Sequence, residues 1–327
     1  MLKTRLAPVA IVCLATLSMA QRSDAQQTSQ LSSEEIAFHA VAAASNPAAR
    51  VAAAEDFVAS FPKSSKRPQV AKLVSDQLPL LRNAQIAVSL LERARVIFTS
   101  PEELEFLGPT ALNIYVDSNR IDDAFALASQ MLSKQPDDLR TLIKITYLAA
   151  QAARDRNLKY ANESAHYGLH AIEIIEKDQR PAGISDSAWL DAKSKLPSLY
   201  QQVGIISLAQ DKIVDAKTQI GNSIKLNPKD ATSYALLGRV LSGEYEKSMT
   251  TYSGMQEDSK KEDEQKKLKA LLDEVVDAYA HAVALATGKR EHQALMQQLV
   301  PDLTNYYKIS HDGSVAGLKE LIEKYRY

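Results

Sequence analysis

Two histidines are the residues of this sequence whose type and spacing come closest to a metal site. His166 and His170 are four residues apart, so on a helix both would share a face and could reach a single Zn²⁺. The glutamate that follows the first histidine in zinc metalloproteases is replaced by Tyr167, and Gly168 suits helix packing. A third ligand would have to come from a distant part of the chain. We therefore predict surface or packing histidines and no metal or other cofactor, with a zinc-dependent activity as the alternative.

Other catalytic arrangements are missing from the sequence. It contains no Gly-x-Ser-x-Gly elbow for a nucleophile, and its few glycines are too scattered to form a phosphate-binding loop. The carboxylates of Glu173, Glu176, Asp273 and Glu274 fall on helix faces that we expect to be solvated, so no enclosed pair is available for acid–base chemistry. The sequence predicts a protein that is not an enzyme.

The N-terminus has the composition of a secretory signal peptide of bacterial proportions. Lys3 and Arg5 precede a short apolar run over residues 6–17, and small residues then suit cleavage after Ala20, or alternatively after Ala25. The apolar run is shorter than a bilayer requires, so a retained anchor is only the alternative. We predict an exported protein, periplasmic or extracellular.

Cleavage would leave a mature chain without cysteine and with a nearly balanced charge. The single cysteine, Cys13, lies inside the apolar run and follows Val12, which is not the small residue that precedes a lipidated cysteine. Loss of the two basic residues reduces 39 basic residues to 37 against 40 acidic ones, a net charge of −3. Neither nucleic acid nor anionic lipid is then expected as a partner. We predict a signal peptide over 1–20, a flexible segment over 21–30 and no transmembrane segment in the mature chain.

Small residues and prolines recur along the chain with a period of 34 residues. Gly204 and Gly238 are 34 residues apart, and Pro228 lies between them in a chain that is otherwise poor in both residue types. A small residue lets two helices approach closely, and a proline cannot continue the second helix of a pair. The same frame recurs upstream around Pro136. Since runs of β-forming residues between turns are missing, an all-α protein is expected.

This spacing resembles the tetratricopeptide repeat (TPR), a helix-turn-helix unit of that length, here of an exported bacterial type. The resemblance implies a right-handed superhelical α-solenoid of TPR-like repeats. Clear units are predicted at 105–138 and 197–230, and interrupted ones at 139–177 and 231–287. Two degenerate units are expected between residues 31 and 98.

The interrupted unit that starts at Ala231 contains an insertion at about 244–268. Its charges alternate in sign, which suits either a solvated helical extension or a mobile loop. We predict degenerate TPR-like repeats over 31–104, a TPR array with this insertion over 105–287, and capping helices over 288–327.

Several local signals predict where helices begin and end. Ser32 and Glu35 form a capping box pattern, and Asp230 is placed to cap the helix after it. A final amphipathic helix is expected to bury one face that carries Leu318, Leu321 and Ile322.

A longer helix is predicted around the only tryptophan. Ser185 or Asp186 would cap it, and Pro197 would lie inside it or at a kink. We interpret Trp189 as a core residue that covers this helix.

The resemblance also implies a concave groove lined by the first helix of each repeat, where the family binds peptides. The carboxylate clamp known in the family is not predicted, because only Asn113 and Lys144 match its positions. Carried over to this chain, the groove residues are Asn113, Asp117, Arg140, Tyr147, Gln151, Gln201 and Arg239.

Together these features predict a non-catalytic exported scaffold that binds a protein or peptide in its groove. The alternative is a structural, self-associating component of a cell-envelope assembly complex, with the groove occupied by the protein's own subunits.

Overall fold

The computed structural model describes residues 31–256 and 259–326, so the predicted signal peptide and the flexible segment lie outside the described residues. Within these ranges the chain forms fifteen α-helices and two short 3-10 turns, and it has no β-strand. The predicted all-α class is confirmed. The chain divides into two compact units, with the division between Ile114 and Tyr115.

The first unit is a set of short helices in which α2 packs against α1, α3 and α4. The predicted capping box is confirmed at its start: Ser32 Oγ accepts from the Glu35 amide at 3.1 Å, and Glu35 Oε2 accepts from the Ser32 amide at 3.0 Å. The helices are α1 (Ser33–Ala43), α2 (Pro47–Ser60), α3 (Arg67–Ser75), α4 (Ala84–Ile97) and α5 (Pro101–Asp117), which crosses the division between the units.

The second unit is built from helices that pack on their neighbours in sequence. Three pairs, α7 with α8, α10 with α11 and α12 with α13, are in close contact, and α10 also packs against both α7 and α12. The first helices of these three pairs are therefore neighbours. The helices are α6 (Ile121–Lys134), α7 (Leu139–Arg154), α8 (Ala161–Glu176), α9 (Asp186–Ser194), α10 (Leu196–Ala209), α11 (Ile213–Leu226), α12 (Ala231–Ser253), α13 (Ser259–Ala286), α14 (Gln293–Ser310) and α15 (Leu318–Lys324).

Glycines lie where these helices cross. A Cβ on Gly204 would come within 2.8 Å of Ile220, and one on Gly238 within 2.7 Å of the Tyr279 ring. Gly168 lies equally close to α7, because a Cβ there would meet Thr146 at 2.8 Å. The predicted packing role of these glycines is confirmed.

The prediction of one longer helix around the tryptophan is wrong. Ser185 caps a first helix, α9, by accepting a hydrogen bond from the Ala188 amide at 3.3 Å, but this helix ends at Ser194. Pro197 falls in the first turn of a second helix, α10. Proline fits there because the first turn does not need its N–H, whereas inside a helix it would break the ladder. Trp189 is only 7% exposed, and its place in the core is confirmed.

The predicted insertion is helical on both sides of residues 257–258. Helix α12 continues to Ser253, and α13 begins at Ser259. Tyr306 of α14 donates to Glu246 Oε1 at 2.8 Å, which ties the extended part of α12 to the body of the unit. Of the two alternatives, the helical extension is the one observed in the described part of the insertion.

The C-terminal helices close the core of the second unit. Helix α14 is followed by a turn in which Gly313 has a φ of +85°, and α15 then packs against α13. The predicted apolar face of α15 is confirmed, since Leu318, Leu321 and Ile322 lie against the cluster that contains Leu299 and Leu303. Across 31–256 and 259–326, no helix combines the length and apolar character needed to cross a membrane.

Candidate partner-binding surface

Helix α7 is buried around most of its circumference. Eleven of its sixteen residues are buried, because the helix packs against α6, α8 and α10. The remaining five follow one another at intervals of four and three residues, so they form a single stripe along the helix. Every one of them is polar: Arg140, Lys144, Tyr147, Gln151 and Arg154.

Polar residues of α10 and α12 lie next to this stripe and extend the polar surface beyond α7. The hydroxyl of Tyr147 is hydrogen-bonded to that of Ser198 on α10. Gln201 Nε2 donates to Ser233 Oγ at 2.7 Å and to Asp230, the residue that caps α12. We call the whole set the first-helix surface and define it as Arg140, Lys144, Tyr147, Gln151, Arg154, Ser198, Gln201, Thr232 and Arg239.

The hydrogen bonds on this surface hold some side chains and leave others available. Asp230 accepts from the Ser233 amide at 2.9 Å, as predicted for a helix cap, and Gln201 is joined to that cap. Tyr147 and Gln201 are half-buried, and their hydrogen bonds fix their positions. Arg140, Gln151 and Arg239 are exposed. A surface of this kind offers preset hydroxyl and amide groups beside free cationic side chains.

Most of the predicted groove residues lie on the first-helix surface. Asn113, half-buried, and Asp117, exposed, lie instead near the end of α5, outside the three first helices. A role of any of these residues in binding stays a prediction. Sequence reasoning missed Arg154, although its spacing from Gln151 on a helix of otherwise small and apolar residues was a readable signal. The predicted residues on the first-helix surface are Arg140, Tyr147, Gln151, Gln201 and Arg239.

The charge of the three first helices differs from that of α8. Helix α7 carries three cationic residues and no carboxylate, α10 carries no charged residue, and α12 up to Gly243 carries Arg239 alone. Helix α8, the partner of α7, has the opposite composition, with three glutamates and neither lysine nor arginine. The first-helix surface is therefore cationic.

Two of its cations, Arg154 and Arg239, affect each other. Arg154 Nη2 donates to Gln202 Oε1 at 3.4 Å, a long hydrogen bond to a neutral group. Loss of water around its guanidinium and then the positive charge of Arg239 lower the pKa of Arg154, while Asp155 acts in the opposite direction. Arginine stays charged at neutral pH, so two like charges remain near each other. Within the described ranges, neither guanidinium forms a salt bridge with a carboxylate.

The two histidines examined for zinc do not come together with further ligands. His170 Nε2 lies 2.8 Å from Asp137 Oδ1, on the loop before α7, and His166 is exposed. The described residues contain no group of three His, Cys, Asp or Glu side chains arranged to hold a metal ion.

A second polar cleft, between α11, α12 and α13, differs from the first-helix surface because its charges are paired. It has a volume of about 250 Å³ and includes Lys217, Tyr234 and His281 in its lining. Lys217 Nζ lies 3.5 Å from carboxylate oxygens of both Glu244 and Glu274. Its positive charge is therefore already neutralised within the chain.

Comparison with known proteins adds no family to these observations. No protein-family model matches the sequence, and no curated protein matches it. The resemblance to tetratricopeptide repeats accordingly depends on the spacing of small residues and prolines in this chain.

Proposed function

We propose that the protein is an exported, non-catalytic scaffold of tetratricopeptide type, in which the helix pairs stack as a solenoid and the first-helix surface binds a segment of a protein or peptide partner. The observation that carries the proposal is the stripe on α7, where five polar side chains interrupt a helix that is otherwise buried. Helix packing alone does not require such a stripe to be uniformly polar and free of carboxylates.

The chemistry of this surface suits an extended or helical segment better than a small molecule. Amide and hydroxyl groups repeat along α7 and across to α10, so they can bond to successive groups of a chain laid over the helices. Because Tyr147 is bonded to Ser198, and Gln201 to Ser233, these groups lose little side-chain freedom on binding.

Site-specific photo-crosslinking in cells tests the proposal. p-Benzoylphenylalanine in place of the exposed Gln151 of α7 should form covalent adducts that contain another protein. The matched control has the same amino acid in place of Leu169, which is 41% exposed on α8, the second helix of the same pair. We expect adducts from the first position and few or none from the control.

The composition of the adducts distinguishes this function from its alternative. An adduct with twice the mass of the chain, formed from position 151, supports the self-associating envelope component and contradicts the partner-binding scaffold. Equal adducts from both positions, or none from position 151, would also contradict the proposed surface.

A further inference from the structure

The charge of the first-helix surface indicates the chemistry of what binds there. Its four cations, Arg140, Lys144, Arg154 and Arg239, are not matched by any carboxylate on α7, on α10 or on α12 before Glu244. Some exposed cations elsewhere in the second unit are paired with carboxylates: Lys159 lies 2.9 Å from Asp122, and Lys217 lies 3.5 Å from two glutamates. On the first-helix surface the four cations lie beside hydrogen-bonding amide groups.

Arg154 and Arg239 are the centre of this charge. They belong to helices that both flank α10, and the guanidinium of Arg154 donates a hydrogen bond to the neutral side chain of Gln202. Two like charges held near each other on a folded surface repel, and an anion placed between them removes that repulsion. A carboxylate suits the guanidinium group especially well, since it can accept two parallel hydrogen bonds from it.

We infer that the segment bound at the first-helix surface is an acidic peptide segment, whose Asp or Glu carboxylates pair with Arg154 and Arg239. The inference depends on the proposed function and specifies its partner. Lys144 and Arg140 lie further along the α7 stripe, where a second carboxylate of the same segment would find a cation.

The observations favour a peptide over a nucleic acid. Only four cations are present, three on α7 and one on α12, with Tyr147, Gln151 and Gln201 between them, whereas nucleic-acid surfaces carry dense positive charge. The whole chain has a formal net charge of −1. The side-chain amides between the cations can hydrogen-bond to the peptide groups of a bound segment, while the cations pair with its acidic side chains.

Peptide selection on the mature chain tests the inference. A library of random peptides is displayed on phage and selected against the immobilised protein, and individual peptides are then measured by fluorescence anisotropy. We expect the selected sequences to be enriched in Asp and Glu. Peptides resynthesised with Asn and Gln at those positions should bind roughly tenfold more weakly, and raised salt should weaken the acidic peptides.

Variants of the protein assign the effect to the two arginines. Arg239→Gln and Arg154→Gln should each weaken the acidic peptides roughly tenfold. The matched control is Arg290→Gln, at an exposed arginine outside the surface, which should leave binding unchanged. Because Arg154 also ends α7, where a cation stabilises the helix dipole, urea unfolding of each variant accompanies the binding data. Arg239 is exposed in the middle of α12, so its variant should keep the stability of the wild type.

Three other results would each contradict a different claim: the acidic partner, the binding function or the peptide nature of the segment. Selected peptides without acidic enrichment that lose affinity with Tyr147→Ala, but not with either arginine variant, would overturn the acidic partner and leave the binding function standing. Peptides unaffected by every variant of the surface would overturn both. A single-stranded oligonucleotide that binds more tightly than the acidic peptides, and depends on the same arginines, would replace the peptide by a nucleic acid and overturn the inference.

Discussion

The carboxylate of Glu103 is almost fully buried at the start of α5, with 1% of the residue exposed. Its Oε1 accepts from Arg67 Nε at 2.6 Å, and its Oε2 accepts from the amides of Thr99 and Ser100, each at 2.8 Å. Burial acts to raise the pKa of this carboxyl, but the guanidinium and the two amides together outweigh it and hold the pKa below 4.5. A lowered folded-state pKa means that the ionised group stabilises the fold above pH 4.5, and that this contribution is lost as the pH falls through the folded-state value.

Replacing this carboxylate should destabilise the first unit. We expect Glu103→Gln to lower the free energy of unfolding by about 3 kcal/mol at neutral pH, because Arg67 then keeps a poorly exposed and unpaired charge. The difference from the wild type should shrink below pH 4.5. Urea unfolding followed by circular dichroism measures both. Glu102→Gln, at the exposed neighbouring residue, is the control, and an equal effect there would contradict the role of burial.

Two glycines of α12 allow the same substitution to be tested with opposite expectations. A Cβ on Gly238 would lie 2.7 Å from the buried ring of Tyr279, whereas nothing lies within 4 Å of one on Gly243. Gly238→Ala should lower the free energy of unfolding by about 1–3 kcal/mol, since the ring has no free space. Gly243→Ala should raise it by about 1 kcal/mol, because alanine favours the helix. Thermal and urea unfolding measure the two changes; destabilisation of similar size in both would show that crossing distance is not the cause.

At the scale of elements, a stack of three rings joins α12, α13 and the residue that follows α15. His281 lies between Tyr234 and Tyr325, with ring centroids 3.9 and 4.3 Å away. Burial of the imidazole and then the nearby charge of Lys324 lower the pKa of His281, against the opposing effect of Asp277. The folded state therefore favours the neutral ring, and protonation favours the unfolded state. Stability from this group is present above pH 6.5 and is lost as the pH falls through the folded-state pKa.

Removing the titration while keeping an aromatic ring should flatten this pH dependence. We expect His281→Phe to lose less stability than the wild type between about pH 7.5 and 5, because no proton competes for the position. The measurement is the urea midpoint as a function of pH. His292→Phe is the control at a half-buried histidine on another element, and it should follow the wild type. A steeper dependence in His281→Phe would contradict the neutral ring.

The elements themselves divide into those that the sequence predicts and those that it does not. The cap at Asp230 and the amphipathic face of α15 depend on residues within one turn of each other, so they could be predicted. The separation of α9 from α10 could not, because a proline is compatible both with a kink inside a helix and with the first turn of a new one. Packing of Trp189 and Leu199 in one cluster accompanies the second arrangement.

At the scale of the whole molecule, the proposed export makes a prediction about covalent structure. We expect the chain recovered outside the cytoplasm to begin at Gln21, after cleavage behind Ala20, or at Gln26 for the alternative site. Intact-mass spectrometry of the exported protein measures this directly. A chain that keeps Lys3 and Arg5 and stays with the membrane fraction would instead support the retained anchor.

By itself the sequence determined the helical class, many helix boundaries and the glycines at the crossings, because these follow from local periodicity, capping and the size of one side chain. Three residues of the α7 stripe were predicted only through the resemblance to tetratricopeptide repeats, whose groove positions were carried over to this chain. Only the tertiary structure shows that α10 packs against both α7 and α12, and that it brings Ser198 to Tyr147. Which charges stay unpaired depends on side chains from helices far apart in sequence, and only packing determines those distances.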